Sequence, residues 1–254
     1  MNGNSFPVPL ARNLILAALL VLAAAAWALL VWQSGQASEM AMGLTMGMSG
    51  ALFLATWIVM MVAMMFPTAA PMILTFARVH ETKRQREQPY VPTWVFVSAY
   101  LAVWTLFGVL AYGTALGAER LAEESSWLMD NAGRIGGAIL ILAGVYQLSP
   151  LKNACLTKCR TPLQFILSSW REGYAGSFRM GLQHGTYCLG CCWLFFVILF
   201  PLGVMNVAAM AIITSLIFAE KSLPIGQQVG KIASVVLVVY GAVVMLSPGM
   251  PMPT

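Results

Sequence analysis

The chain has 254 residues, of which 59% are hydrophobic and only 9% are charged, and its mean hydropathy is +0.79. A soluble domain carries about 25% charged residues, so this composition excludes a soluble globular protein and indicates an integral membrane protein. The net charge of +5 does not predict a nucleic-acid partner, because the basic residues fall in a few connecting segments next to apolar runs.

The hydropathy pattern predicts an all-α fold, a polytopic transmembrane helical bundle of about seven spans, as a single domain over residues 1–254. The first apolar run is long enough to cross a bilayer and has no cleavable secretory signal, so we expect it to remain as the first helix. A break at 201–203 predicts a tight hairpin between the fifth and sixth spans. The predicted spans are residues 14–32, 51–76, 92–116, 135–148, 183–200, 204–218 and 232–246.

Lysine and arginine residues predict the orientation, since the cytoplasmic segments of membrane proteins are enriched in them. With the N-terminus inside and the C-terminus outside, only Arg120 and Arg134 of the 14 basic residues lie outside. This bias predicts a multi-pass protein of the bacterial cytoplasmic (inner) membrane. The basic residues of the inner segments are Arg12, Arg78, Lys83, Arg84, Arg86, Lys152, Lys158, Arg160, Arg171, Arg179, Lys221 and Lys231.

The longest predicted connection is the inner segment 149–182. Its middle, residues 162–170, has an amphipathic pattern, which predicts a helix lying in the inner membrane interface. The polar side of this helix would carry Gln164 and Ser168, and the apolar side Leu163, Phe165, Ile166, Leu167 and Trp170.

A histidine and three cysteines lie close together at the start of the fifth span, in GLQHGTYCLGCCW. Because residues four and seven apart share a face of a helix, His184, Cys188 and Cys191 form one stripe with Cys192 beside it. Imidazole and thiolate are ligands of Cu(I), zinc and iron–sulfur centres. The stripe therefore predicts a metal site, and three ligands on one helix suit a two- or three-coordinate Cu(I) better than closed tetrahedral zinc. The alternative is that these cysteines are small apolar packing residues.

Methionine is concentrated in the second span. Met60 and Met64 are four residues apart, as are Met61 and Met65, so each pair stacks its thioethers on one helix face. Thioethers bind Cu(I) and not hard cations, although methionine is also a flexible filler of apolar cores. The outer segment before this span adds further candidate ligands, Met40, Met42, Met46 and Met48.

The same span contains Pro67 and Pro71. Each proline removes a helical hydrogen-bond donor, which leaves the carbonyl groups of Ala63 and Pro67 without their usual partners. Two outcomes are open: a broken segment that faces a wet cavity below the methionines, or a plain kink used for packing.

Other polar and sulfur side chains flank the spans. Cys155 and Cys159 share one turn of a predicted inner helix, where they are either reactive or metal-binding thiols or a reduced pair without a role. Asn206 is expected to hydrogen-bond across helices. Glu220 and Lys221 are interpreted as interfacial anchors or a local pair.

Several functions are disfavoured by what the sequence lacks. No carboxylate lies in the middle of a predicted span, as a proton- or sodium-coupled transporter usually requires. The sequence contains neither a phosphate-binding glycine loop nor a hydrolase-like arrangement of serine or cysteine. We therefore do not expect an enzyme.

Four segments together resemble a family of bacterial membrane proteins of unknown function, described as predicted metal-binding integral membrane proteins. They are TWIVMMVAMMFPTAAP, YQLSPLKNACLTKCRTP, GLQHGTYCLGCCW and VMNVAAMAIITSLIFAEK. The resemblance implies a metal, with copper handling the activity usually suggested. It also points to a set of positions to test: Trp57, Met60, Met64, Met65, His184, Cys188, Cys191, Cys192 and Asn206.

The leading hypothesis is a membrane protein that takes up Cu(I) through methionine ligands and passes it to the Cys/His site, for transport or for delivery to a membrane or periplasmic partner. The main alternative is an accessory or assembly subunit of a membrane metalloenzyme. A redox protein is ranked below both, since cysteines this close on one helix rarely meet disulfide geometry. A small-molecule permease lacks an intramembrane charge to bind its substrate. Besides the metal, membrane lipid and a second copy of the chain are the expected partners.

Overall fold

The computed structural model describes residues 8–37 and 43–246 as an all-helical chain without strands in these ranges. Met40, Met42 and residues 247–254 lie outside the described residues. The helices are α1 (Val8–Ala37), α2 (Gly50–Gln85), α3 (Thr93–Glu124), α4 (Ser126–Asp130), α5 (Ala132–Gln147), α6 (Pro150–Arg160), α7 (Pro162–Ser169), α8 (Gly173–Val197), α9 (Leu199–Leu202), α10 (Val207–Ser222) and α11 (Gly226–Leu246).

Five stretches among the described residues are long and apolar enough to cross a membrane: α1, α2, α3, α8 with α9, and α11. The pair α5 and α6 would be a sixth span, but it bends by 62° at 148–149. Helix α10 has only 16 residues and does not qualify by itself. The multi-pass helical architecture is thus confirmed, with five or six candidate spans, and the count of seven stays a prediction.

Helix α2 remains continuous through Pro67 and Pro71, so of the two outcomes left open the broken segment is wrong. The carbonyl group of Ala63, which Pro67 deprives of its helical donor, accepts a hydrogen bond from the indole Nε1 of Trp27 at 3.1 Å. A side chain from α1 thus replaces the missing backbone donor. This is one of the ways in which membrane helices tolerate proline.

The predicted interfacial helix forms as α7, but its apolar residues do not share one environment. Phe165 and Ile166 are buried in the protein core, whereas Leu163 and Leu167 are exposed on the other side. Part of the predicted apolar face is therefore used for tertiary packing. The segment is also shorter than predicted, because α8 begins at Gly173.

Helix α8 packs very closely against α3 because it carries glycines where the two helices touch. A Cβ atom at Gly181 would lie closer to the Phe96 carbonyl oxygen than van der Waals contact allows, and 2.7 Å from the Ala99 Cβ. At Gly185 it would lie 2.9 Å from a Val103 methyl group. This close approach brings α3 side chains onto the face of α8 that carries the predicted ligands.

We therefore expect Gly181→Ala to destabilise the fold by about 1–3 kcal/mol, because the added methyl group meets backbone that cannot easily move. Thermal unfolding in detergent would measure the change. The matched control is Gly113→Ala in α3, where a Cβ atom has no neighbour within 4 Å among the described residues. This control should be neutral or slightly stabilising, since alanine favours a helix over glycine. Equal stability of the two variants would contradict the packing argument.

Contacts gather one set of helix ends at the same side of the bundle. Lys83 at the end of α2 forms a 2.9 Å ion pair with Glu172 before α8, and this hydrogen-bonded contact lowers the pKa of the Glu172 carboxyl group. Arg160 in α6 donates to the carbonyl group of Leu223 after α10 at 2.9 Å. At the opposite side, Glu119 of α3 accepts hydrogen bonds from Thr45 before α2. The chain therefore passes back and forth between two ends of the bundle.

Candidate metal site

Helix α8 turns the face of the predicted Cys/His stripe into the protein core. His184 and Cys192 are each 2% exposed, Cys191 is 1% exposed and Cys188 is fully buried. Glycines on the same helix allow α3 and α6 to approach, and side chains of these two helices and of α10 surround the stripe. The stripe thus forms one wall of a site built from four helices.

The sulfur of Cys188 is the centre of this arrangement. The ammonium group of Lys221 from α10 lies 3.0 Å from Cys188 Sγ, and the hydroxyl group of Tyr100 from α3 lies 3.1 Å from it. Lys221 itself is only 9% exposed. A buried ammonium group next to a thiol stabilises the thiolate, which is the form that binds metal.

The two following cysteines point back to the same turn of α8. The thiol of Cys191 donates to the carbonyl oxygen of Cys188 at 3.1 Å, and the thiol of Cys192 donates to it at 2.8 Å. Both groups thus use their protons within the helix. To bind a metal they would have to give up these hydrogen bonds.

A fourth and a fifth cysteine come from α6, which sequence reasoning had kept apart from the stripe. The thiol of Cys159 lies close enough to Cys188 and Cys191 to interact with both. The thiol of Cys155 packs against Gly190, where a Cβ atom would lie 2.7 Å from its sulfur. The signal in the sequence was the C-x3-C spacing itself, which puts both sulfurs on one side of a short helix. Which helix that side faces depends on tertiary packing.

We use the term cysteine cluster for Cys159, Cys188, Cys191 and Cys192. Within residues 8–37 and 43–246, no group of three or more His, Cys, Asp or Glu side chains is arranged so that it could hold a metal ion. Two of the thiols are hydrogen-bonded to backbone, and the ammonium group of Lys221 lies beside the third. The sulfur atoms therefore lie close together but already have partners within the protein.

His184 lies among aromatic rings, one turn before Cys188. Its ring centroid is 5.5 Å from that of Tyr100, 5.8 Å from Phe96 and 5.6 Å from Phe165. Neither ring nitrogen has a hydrogen-bond partner among the described residues, although both are buried. A buried polar group without a partner is costly and calls for an explanation. One explanation is that an imidazole nitrogen of His184 is left available for a metal.

Glu220 and Lys221 are neither interfacial anchors nor a local pair. Glu220 is 2% exposed and forms an ion pair with Lys152 of α6, in which both carboxylate oxygens lie 2.7 Å from the ammonium group. Gln147 also accepts a hydrogen bond from Lys152. Lys221 points to Cys188 instead. Sequence reasoning missed this pairing because α6 and α10 are far apart along the chain.

The predicted methionine ligands are buried in the same apolar core as the cysteine cluster. Met60, Met61, Met64 and Met65 each have no exposed surface. Just before them in α2, Trp57 reaches α8, where its ring lies 6.1 Å from Phe196. A shared site for α2 and α8 stays a prediction. Asn206 caps α10 locally, since its Oδ1 accepts from the backbone N–H of Ala209 at 3.0 Å.

Comparison with known proteins gives one informative match. No curated protein and no solved structure matches the chain significantly. A family model described as "Copper chaperone" matches residues 54–244, which is well over half of the chain and includes α2, the cysteine cluster and Lys221. This match confirms the resemblance to a copper-handling family, and its description is that of a chaperone rather than an enzyme. The chain therefore belongs to the copper chaperone family.

Proposed function

We propose that this protein is a membrane copper chaperone that carries Cu(I) on the cysteine cluster, with His184 as a further ligand, and passes the ion to a partner. The observation that carries the proposal is the convergence of three buried cysteines of α8 and the half-buried Cys159 of α6, next to the ammonium group of Lys221. Thiolates are the ligands that soft Cu(I) prefers. Cu(I) is the cargo in this proposal.

The charges around the cluster favour a monovalent ion held by two thiolates. Lys152, Lys221 and Glu220 are all buried and together leave one excess positive charge. A Cu(I) ion with two thiolates carries a net charge of −1 and balances it. A buried site that is neutral overall avoids the large cost of an uncompensated charge.

The proposed path runs from the outside inward. We place the N-terminus inside and the C-terminus outside a bacterial inner membrane, in seven passes, because 12 of the 14 basic residues then lie inside. The contacts that bring the ends of α2, α6 and α10 and the start of α8 to one side of the bundle support this topology. The methionines of α2 would receive the ion first, and the stronger thiolate ligands would receive it second. This order is energetically downhill for a soft cation.

An anaerobic titration of the reduced protein with Cu(I), against a competing chelator, tests the function. The proposal predicts that one Cu(I) per chain is withheld from the chelator. If the chelator takes all the copper at equimolar concentration, the protein is not a copper carrier.

Lys221→Met is expected to weaken Cu(I) binding by about 10- to 100-fold, the usual cost of losing an outer-shell partner of a metal site. The substitution leaves an anionic copper–thiolate group next to the balanced Lys152–Glu220 pair, without a counter-ion. The matched control is Lys231→Met, which removes the same charge from the exposed side of α11. If the Lys221 variant binds Cu(I) with unchanged affinity, the Lys221 charge is not needed to balance the copper–thiolate group.

Met60→Leu with Met64→Leu should slow Cu(I) entry and leave the equilibrium affinity of the cysteine cluster within about twofold, since thioethers are the weaker ligands. Leucine keeps nearly the same volume, so the fold should tolerate the change. Stopped-flow loading in proteoliposomes would measure the rate. The control is Met129→Leu in α4, where the side chain is exposed. Equal rates in all three proteins would contradict a role for the methionines.

A further inference from the structure

A cavity with several charged side chains in its wall lies at the bundle end that holds the start of α1, the end of α2 and the start of α3. Its volume is about 380 Å³, and its lining includes Arg12, Arg78, His80, Glu81, Arg84 and Tyr90. None of these residues belongs to the cysteine cluster, so the cavity is independent of the proposed copper function.

The cavity carries a net positive charge. It is lined by three arginines and one carboxylate, and the ring of His80 is neutral because its Nδ1 accepts the backbone N–H of Val91 at 3.1 Å. Arg84 is held in place by Glu81 at 3.6 Å and by the ring of Tyr90 at 5.6 Å. The first turn of α3 starts on the same wall, and its cap residue Pro92 offers no side-chain hydrogen bond. Arginines together with the positive end of a helix favour an anion.

The wall also contains buried polar atoms that have no hydrogen-bond partner among the described residues. His80 is 4% exposed, and its Nε2, which carries the proton of the neutral ring, has no partner among the described residues. The buried Oε1 of Glu81 likewise lacks a donor within the part of the chain that is described. A ligand that fits would therefore supply both an acceptor and a donor.

Apolar side chains flank the cavity on the outer surface of the bundle. Leu14 is 51% exposed, Tyr90 46% and Trp94 66%. An aromatic and aliphatic flank next to a basic pocket is typical of the membrane interface, where lipid acyl chains lie beside their headgroups. This flank argues for a lipid rather than a free anion.

We infer that this cavity binds the headgroup of an anionic phospholipid with hydroxyl groups, of the phosphatidylglycerol type. The phosphate faces the arginines and the start of α3, and the glycerol hydroxyl groups can donate to Glu81. The bound lipid would hold the start of α1 against the connection between α2 and α3.

Native mass spectrometry of the purified protein with equimolar phosphatidylglycerol and phosphatidylcholine, of identical acyl chains, tests this inference. The wild-type protein should prefer phosphatidylglycerol by roughly tenfold or more, because each basic residue near the headgroup contributes about fivefold to the preference. Arg12→Gln with Arg78→Gln should reduce this preference to within about twofold, because the charge of the remaining Arg84 is balanced by its ion pair with Glu81. The matched control is Arg86→Gln with Arg179→Gln, two exposed arginines outside the cavity, and it should keep the preference.

The inference is overturned if the wild-type protein binds both lipids equally, or if the control pair loses as much preference as the cavity pair. Free glycerol phosphate distinguishes the two sources of the anion. If it displaces the lipid at equal concentration, the cavity takes a soluble phosphate and the lipid assignment is wrong. Cu(I) binding should be the same in all variants, so failure here leaves the copper proposal standing.

Discussion

Replacing Cys188 and Cys191 by serine is expected to lower the Cu(I) affinity roughly 10⁴-fold. Structural zinc sites with four ligands gain about 10–16 kcal/mol, which is about 3 kcal/mol or a hundredfold for each ligand, and two ligands are lost here. Both side chains are buried at the point where α6, α8 and α10 meet. Competition with a Cu(I) chelator would measure the loss.

The control for this pair is Thr186→Ala, on the exposed side of the same helix. It should bind Cu(I) like the wild-type protein. A second variant, with alanine instead of serine at both positions, separates loss of ligands from the cost of burying new hydroxyl groups. If all of these variants bind Cu(I) equally, the cysteines only fill the core.

The second large effect should follow from Lys152→Met. Lys152 and Glu220 are 1% and 2% exposed, and their charged groups lie 2.7 Å apart. Removing one partner leaves a buried carboxylate uncompensated, which costs about 3–5 kcal/mol. We expect a marked drop in the thermal unfolding temperature in detergent, measured on the copper-free protein.

The double variant Lys152→Met with Glu220→Met is the control for this prediction. Because both charges are then removed, its stability should return to within about 1–2 kcal/mol of the wild-type value or exceed it. Lys158→Met, on a less buried part of the same helix, should have little effect. A single variant as stable as the wild-type protein would mean that the Lys152–Glu220 pair is not needed to hold α6 against α10.

The part of the site that lies on one helix could be predicted from the sequence. The spacing of His184, Cys188 and Cys191 alone places them on one face of α8, because helical periodicity is a local property. Contributions from other helices could not be predicted. Tyr100 and Cys159 reach Cys188 because glycines let α3 and α6 approach α8, and Lys221 reaches it from α10. Such contacts are fixed only by tertiary packing.

The fold shows the same division between local and tertiary effects. Hydropathy predicts the long helices well, since the bilayer fixes the length of apolar sequence that a span requires. The behaviour of α2 at Pro67 could not be predicted, because the donor that satisfies the Ala63 carbonyl group belongs to Trp27 in another helix. For α7, the sequence gives an apolar face but not which of its residues meet protein rather than lipid.

X-ray absorption spectroscopy of the Cu(I)-loaded protein tests the central claim most directly. The account predicts a first shell dominated by sulfur, with two or three ligands, that changes in the variant with serine at Cys188 and Cys191. A first shell made only of nitrogen and oxygen donors, or a spectrum that is identical in that variant, would contradict it.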